Sequence, residues 1–207
     1  MTVPSQKDAW DSFYRAQPRP WKGVLRNRTP FPFGKGEIVL DIGCGNGKTS
    51  SALIEAGCDV TGMDISEDAV GICRRTHGNR MKVICASAGS IPLNDGSADG
   101  IVMVHVLEHL TDDEIGDAVK EAHRVLRPGG KVYVKVFHTD DMRSDIGERI
   151  DDRTVVRGNG IRYRYFTGTE LKDMFSGFRE ISAERFDERT KFKGTRSWIE
   201  AVFERMA

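Results

Sequence analysis

The sequence predicts an α/β domain organised on a doubly wound, parallel sheet. Three observations lead there. Short apolar runs alternate with helix-like stretches from residue 37 to residue 137, the pattern of a sheet with helices on both faces. The first run passes into Asp41-Ile42-Gly43-Cys44-Gly45-Asn46-Gly47-Lys48, which reads as strand, glycine turn and helix start. An acidic residue, Asp64, closes the second run 23 positions after Asp41, near the spacing at which such sheets meet a ribose.

Taken in order, residues 7–16 form a short helix carrying Trp10, Phe13 and Tyr14, stopped by Pro18 and Pro20. Trp21 and a stretch rich in Arg, Pro and Gly follow, up to Gly36. Residues 37–41 are strand one, an apolar run suited to a buried parallel sheet. Residues 48–56 are a helix closed by Gly57. Residues 59–63 are strand two, 66–77 a helix and 81–86 strand three. A turn cluster at 94–99 leads to strand four at 100–104. Thr111 precedes Asp112-Asp113-Glu114 and caps a helix over 112–126. Arg127-Pro128-Gly129-Gly130 then turns the chain into strand five, 131–137. After His138 the periodicity fades, and residues 139–160 read as a long irregular insertion, of the kind that is usually functional. A strand over 161–166, a helix over 170–175 and two strands over 178–186 and 197–203 complete the chain.

The glycine turn is a cradle. Glycines admit positive φ and close approach of a ligand, and the N–H groups that open the next helix point at it. It is not the dinucleotide fingerprint, because Lys48 stands where G-x-G-x-x-G needs its third glycine. Asp41 is a poor neighbour for a pyrophosphate and suits a ligand bearing an ammonium and a sulfonium. A nicotinamide-dependent oxidoreductase is therefore disfavoured. A non-catalytic partner subunit need not keep Asp41, the glycines and Asp64 together. Asp64 can accept both hydroxyls of a ribose, or it can cap the next helix, as Ser66 can.

Asp41–Gly47 resembles the first motif of the class I S-adenosylmethionine-dependent methyltransferases. Ala86-Ser87-Ala88-Gly89-Ser90-Ile91-Pro92-Leu93 resembles the third motif of that family, which commonly has Asp where Ser87 stands. His105-Val106-Leu107-Glu108-His109-Leu110 and Leu126–Gly130 match it as well. The resemblance covers residues 37–137 and, loosely, 165–204. It implies one Rossmann-like domain with a seven-stranded sheet, mostly parallel with an antiparallel last strand. In that picture 1–36 is an arm or lid, 37–137 the cofactor-binding core, and 138–207 the substrate side. S-adenosyl-L-methionine would be held by Asp41, Gly43, Cys44, Gly45, Asn46, Asp64, Ile65, Ser87, Ala88 and His105. Ser87 would meet the adenine without charge assistance. Tyr14 or Trp21 would fold over the ligand; alternatively the aromatic arm only covers an edge of the sheet.

Methyl transfer from a sulfonium needs alignment and exclusion of water, and a base only when the acceptor must lose a proton early. The sequence names no catalytic residue outright. His105, His109 and His138 fall at the ends of strands where ligands bind. Each has a ring that can act as a base or simply pack, and Glu108 reads as a structural carboxylate. Arg153, Arg157, Arg162 and Arg164 form a run with no carboxylate between them; Arg162 and Arg164 share one strand face and are candidates for clamping an anionic acceptor, as are Trp21, His109 and His138 for contacting it. A small-molecule acceptor is the leading expectation. The Arg162–Phe166 stretch and Gly45–Lys48 are weakly similar to the tRNA wobble-uridine methyltransferases, which keeps tRNA as the alternative.

Composition adds bounds. Lys and Arg total 31, as do Asp and Glu, so bulk charge favours neither nucleic acid nor membrane. The charge is uneven, about +5 over residues 1–36 and −5 over 37–137. Cys44, Cys58, Cys73 and Cys85 have no metal-ligand spacing and read as reduced thiols. No metal, no membrane span, a cytoplasmic location and a monomer or homodimer are expected.

Overall fold

The computed structural model describes residues 5–17, 20, 25, 27–191 and 193–207. A seven-stranded sheet runs in the order β3-β2-β1-β4-β5-β10-β9. Its strands are β1 (Ile38–Ile42), β2 (Asp59–Asp64), β3 (Lys82–Cys85), β4 (Ala98–Val104), β5 (Leu126–Phe137), β9 (Phe178–Arg189) and β10 (Thr195–Arg205). β1 to β5 pair in parallel. β10, the last strand of the chain, is antiparallel to both β5 and β9 and lies between them. The order reverses at β1 and β4, so their carboxyl ends open a crevice.

The strand faces alternate as burial requires. Leu40 and Ile42 of β1 join Ile101, Met103, Val132 and Val134 on the face covered by α4 (Asp112–Val125) and α5 (Gly168–Met174). Val39, Val60, Val102 and Tyr133 point the other way, under α2 (Lys48–Glu55) and α3 (Glu67–His77). The helix ends follow local chemistry. Thr111 and Glu114 form a reciprocal capping box at α4. Ser66 caps α3 by accepting from the Ala69 N–H, which frees Asp64 from that task. Gly57 takes φ +87° just past α2.

Of the stretch expected to be irregular, residues 139–147 do run as turns and bends, but residues 148–160 do not stay irregular and join the next strand in one unit. β6 (Glu148–Asp151), β7 (Thr154–Val156) and β8 (Arg162–Arg164) make a small antiparallel sheet. Strands of three or four residues are too short for alternation to show in sequence. What holds the sheet is a cluster of Val155, Ile161, Tyr163 and Tyr165 against Phe137 and Ala9. α1 (Gln6–Ala16) bridges this unit and α3. The Gln6 side chain donates to the Gly160 carbonyl at 3.1 Å and accepts from the Arg162 N–H at 3.0 Å. At its other flank, Ser66 donates to Asp11 at 2.6 Å. Trp10 and Tyr14 thereby come to lie above the crevice.

Candidate functional site

A cleft of about 720 Å³ follows the carboxyl ends of β1, β2, β4 and β5 and is bordered by α1. The glycine turn forms its floor. Gly43 and Gly45 have φ of +68° and +54°. A Cβ at Gly43 would sit 2.5 Å from Val106 Cγ2, and one at Gly45 would sit 2.4 Å from the Tyr14 hydroxyl. Larger residues at either position would push apart the walls on opposite sides of the cleft. Gly43, Cys44, Gly45, Asn46, Asp64, Ile65, Ser87, Ala88, His105 and Tyr14 all line it.

Asp64 ends β2. Its two carboxylate oxygens accept from the Gly45 and Ser66 N–H groups, each at 2.9 Å. It thus ties the glycine turn to the strand and keeps lone pairs for further donors. Burial raises its pKa to about 6. Ile65, beside it, is an exposed apolar side chain, as a wall against a flat ring requires. Ser87 spends part of its hydroxyl on the Gly89 N–H at 3.3 Å.

Asp41 does not line the cleft. Alternation along β1 turns it to the face of Val39, under α2, where Ser50 Oγ donates to it at 2.5 Å. Its other oxygen is buried without a partner among the described residues. Desolvation raises its pKa to about 7, against the opposing Ser50 bond and with a smaller push from Asp64. A ligand in the cleft would feel it through the field beneath the turn rather than by contact.

At the opposite end the cleft is aromatic and basic. His105 stacks on Phe137 at 4.2 Å between ring centres, and its Nδ1 lies 2.8 Å from Glu108 Oε1. His109 Nδ1 is 2.6 Å from the Arg162 carbonyl, so that nitrogen carries the proton. Its ring is wedged between Trp10 and Tyr163, and burial lowers its pKa. Arg143, Arg157 and Arg196 line this end. Asp141, almost fully buried, holds Arg143 and Arg196 at 2.8 Å each. Arg157 lies over Tyr163, 3.7 Å from the ring centre, and donates to the Tyr165 hydroxyl at 3.2 Å.

Three expected acceptor contacts fall elsewhere. Arg162 and Arg164 do share a face of β8, but it is the outer one. Arg164 pairs with Glu170 and Asp112, and Arg162 approaches Glu114 at 3.9 Å. Packing of Tyr163 against Phe137 turned the strand that way. His138 lies outside the cleft, its Nδ1 accepting from the Asp140 N–H at 3.1 Å. Trp21 lies outside the described residues.

A family model described as "Methyltransferase domain" matches residues 40–134, the stretch that supplies the turn, Asp64 and His105. Over those residues the chain carries a methyltransferase domain of the class I S-adenosylmethionine-dependent kind. Among curated relatives, it is 28% identical over 153 residues to the tRNA (carboxymethyluridine(34)-5-O)-methyltransferase ALKBH8 of Mus musculus, covering 73% of this chain and 22% of that protein. It is 33% identical over 120 residues to the ubiquinone biosynthesis O-methyltransferase of Idiomarina loihiensis, covering 56% and 48%. The chain thus spans half or less of the length of these two relatives. A solved S-adenosylmethionine-dependent methyltransferase from Methanosarcina mazei superposes with a TM-score of 0.77 at 22% identity, covering 89% of this chain and 99% of that one.

The methyltransferase residues fit the cofactor in chemistry as well as in place. Buried, partly charged Asp64 offers acceptors for ribose hydroxyls, Ile65 and Ala88 offer apolar surface for adenine, and Gly43 and Gly45 let a methionine-like tail approach the backbone closely. When bound, S-adenosylmethionine supplies an electrophilic methyl group. The side chains missed in sequence are Arg143 and Arg196, while Arg157 stands in the run of arginines from 153 to 164 and is the member of that run that reaches the cleft. The three come from separate segments, and no spacing signal joins Arg143 and Arg196 to Arg157. Phe137 and Tyr163 were visible only as core residues.

Proposed function

We propose that this methyltransferase modifies a small, planar acceptor bearing a carboxylate or phosphate. The observation behind this reading is the convergence of Arg143, Arg157 and Arg196 on an aromatic end of the cleft. Asp141 answers two of the guanidiniums with a single carboxylate, and the Nε of Arg157 is buried without a partner among the described residues. Guanidiniums so placed recognise planar anions. Phe137, Tyr163 and Trp198 give flat surfaces for a ring. α1, which brings Gln6, Trp10 and Tyr14 to the cleft, is the covering element in this reading.

The test is incorporation of labelled methyl from S-adenosylmethionine into paired acceptors, each anionic compound set against its amide or ester. Anionic members are expected to turn over, and Arg157→Gln to raise KM for them about 10-fold or more, as loss of one charge-assisted contact implies. Equal use of neutral and anionic members refutes the reading. The name of the ALKBH8 relative supports a second one, in which the acceptor is a nucleotide of tRNA and the arginines meet its phosphates or a carboxymethyl group. Incorporation into tRNA but not into free compounds selects it. The free cysteines suit a reducing compartment, and we infer a cytoplasmic location.

A further inference from the structure

We propose that His105 and Glu108 form a general-base pair that removes a proton from the methyl acceptor, so that the acceptor atom is a hydroxyl or N–H rather than a group already ionised. The inference deepens the reading above and rests on the same end of the cleft.

Four observations carry it. His105 has φ +56°, a left-handed backbone that is strained for a non-glycine residue. It is held there by its N–H, which donates to the Lys135 carbonyl at 2.9 Å, and by the stack on Phe137. This conformation, immediately after β4, sets the imidazole in the cleft. Second, Glu108 is fully buried. Its Oε1 accepts from the Phe137 N–H at 3.0 Å and faces His105 Nδ1 at 2.8 Å. A carboxylate there requires Nδ1 to carry the proton, which leaves the lone pair on Nε2. Third, the His105 ring is one-third exposed, and no side chain or backbone group among the described residues bonds Nε2. Fourth, Glu108 Oε2 is buried without a partner among the described residues. A buried carboxylate short of donors gains when the ring beside it becomes an imidazolium.

The charges that face His105 are Glu108 and the neighbouring His109 ring on its own segment. Across Phe137 stand the Arg143 and Arg196 guanidiniums, 4.3 and 5.5 Å from that ring's centre, with Asp141 between them. The arginines hold an anionic group of the acceptor while His105 attends to its nucleophile X–H. In the transfer the X–H bond breaks and its proton joins Nε2. X bonds to the methyl carbon, and the carbon–sulfur electron pair stays on the departing thioether. His105 is the base; Glu108 is a positioning residue.

The experiment has two arms. In the first, long-range ¹H–¹⁵N NMR of the labelled full chain reads the His105 tautomer, assigned by its loss in His105→Gln. The Nδ1–H form is expected in the wild type, and Glu108→Leu, which removes the acceptor, is expected to abolish that preference, whereas Glu108→Gln keeps it because the Phe137 N–H holds the amide oxygen in the Oε1 position. An Nε2–H ring in the wild type, or a tautomer indifferent to Glu108→Leu, overturns the proposal. In the second, whichever acceptor the screen yields is assayed with His105→Gln. A fall in kcat of roughly 10²- to 10⁴-fold is expected, with S-adenosylhomocysteine binding within a few-fold of wild type and the acidic limb of the pH profile lost. Unchanged kcat overturns the proposal. A neutral acceptor that still depends on His105 overturns the anionic reading and leaves the base pair standing.

Discussion

Asp41→Asn should stabilise the chain, and the gain should grow with pH. Asp41 is buried, and desolvation lifts its pKa from 3.8 to about 7. Between those pH values the folded chain holds a proton that the unfolded chain has released. The contribution of Asp41 to stability is therefore greatest below pH 4, declines as pH rises, and is at its lowest above pH 7. A shift of about three units corresponds to roughly 4 kcal/mol, an upper bound because burial also costs the amide. Asn keeps an acceptor for Ser50 and removes the ionisation. Its advantage over Asp should be about 2 kcal/mol larger at pH 8 than at pH 5. For a domain of this size that is an extra 4–8 °C in Tm, as an order of magnitude. Thermal unfolding of both proteins at pH 5, 6, 7 and 8 measures it. A difference that is flat with pH, or that shrinks towards pH 8, refutes the reasoning.

Three more outcomes are expected. Binding of S-adenosylmethionine, a cation, favours ionised Asp41 and Asp64, whose pKa values are near 7 and 6. Affinity should rise from pH 5.5 to 7.5 with proton release, seen by calorimetry in buffers of different ionisation enthalpy, and affinity that falls with pH contradicts this. Asp64→Ala should weaken cofactor binding and also lower Tm. It leaves the Gly45 and Ser66 N–H groups without their acceptor at a cost of about 1–3 kcal/mol; an unchanged Tm shows that those bonds do not brace the turn. Gly100→Ala should destabilise by about 1–3 kcal/mol, because its Cβ would lie 2.2 Å from Phe33 Cε1; denaturant unfolding decides, and a second change, Phe33→Leu, should recover part of the loss.

Local chemistry alone placed the glycine turn, the cap at Thr111 and the five parallel strands, because each depends on hydrogen bonds and periodicity within a few residues, whereas the choice of Ser66 over Asp64 as cap came from the structure. It also placed Asp64 beside the turn, since strand, turn and helix lengths set that spacing. Tertiary structure decided what no local pattern encodes. Alternation said that Arg162 and Arg164 share a face, but the packing of Tyr163 on Phe137 chose which face meets the cleft. The same rule put Asp41 under α2 once that helix covered the Val39 side of β1. Arg143, Arg157 and Arg196 meet because β10 inserts beside β5 while β6 to β8 fold back over its end. Their convergence is set by which apolar faces bury one another across the chain, a choice made by the sum of distant contacts.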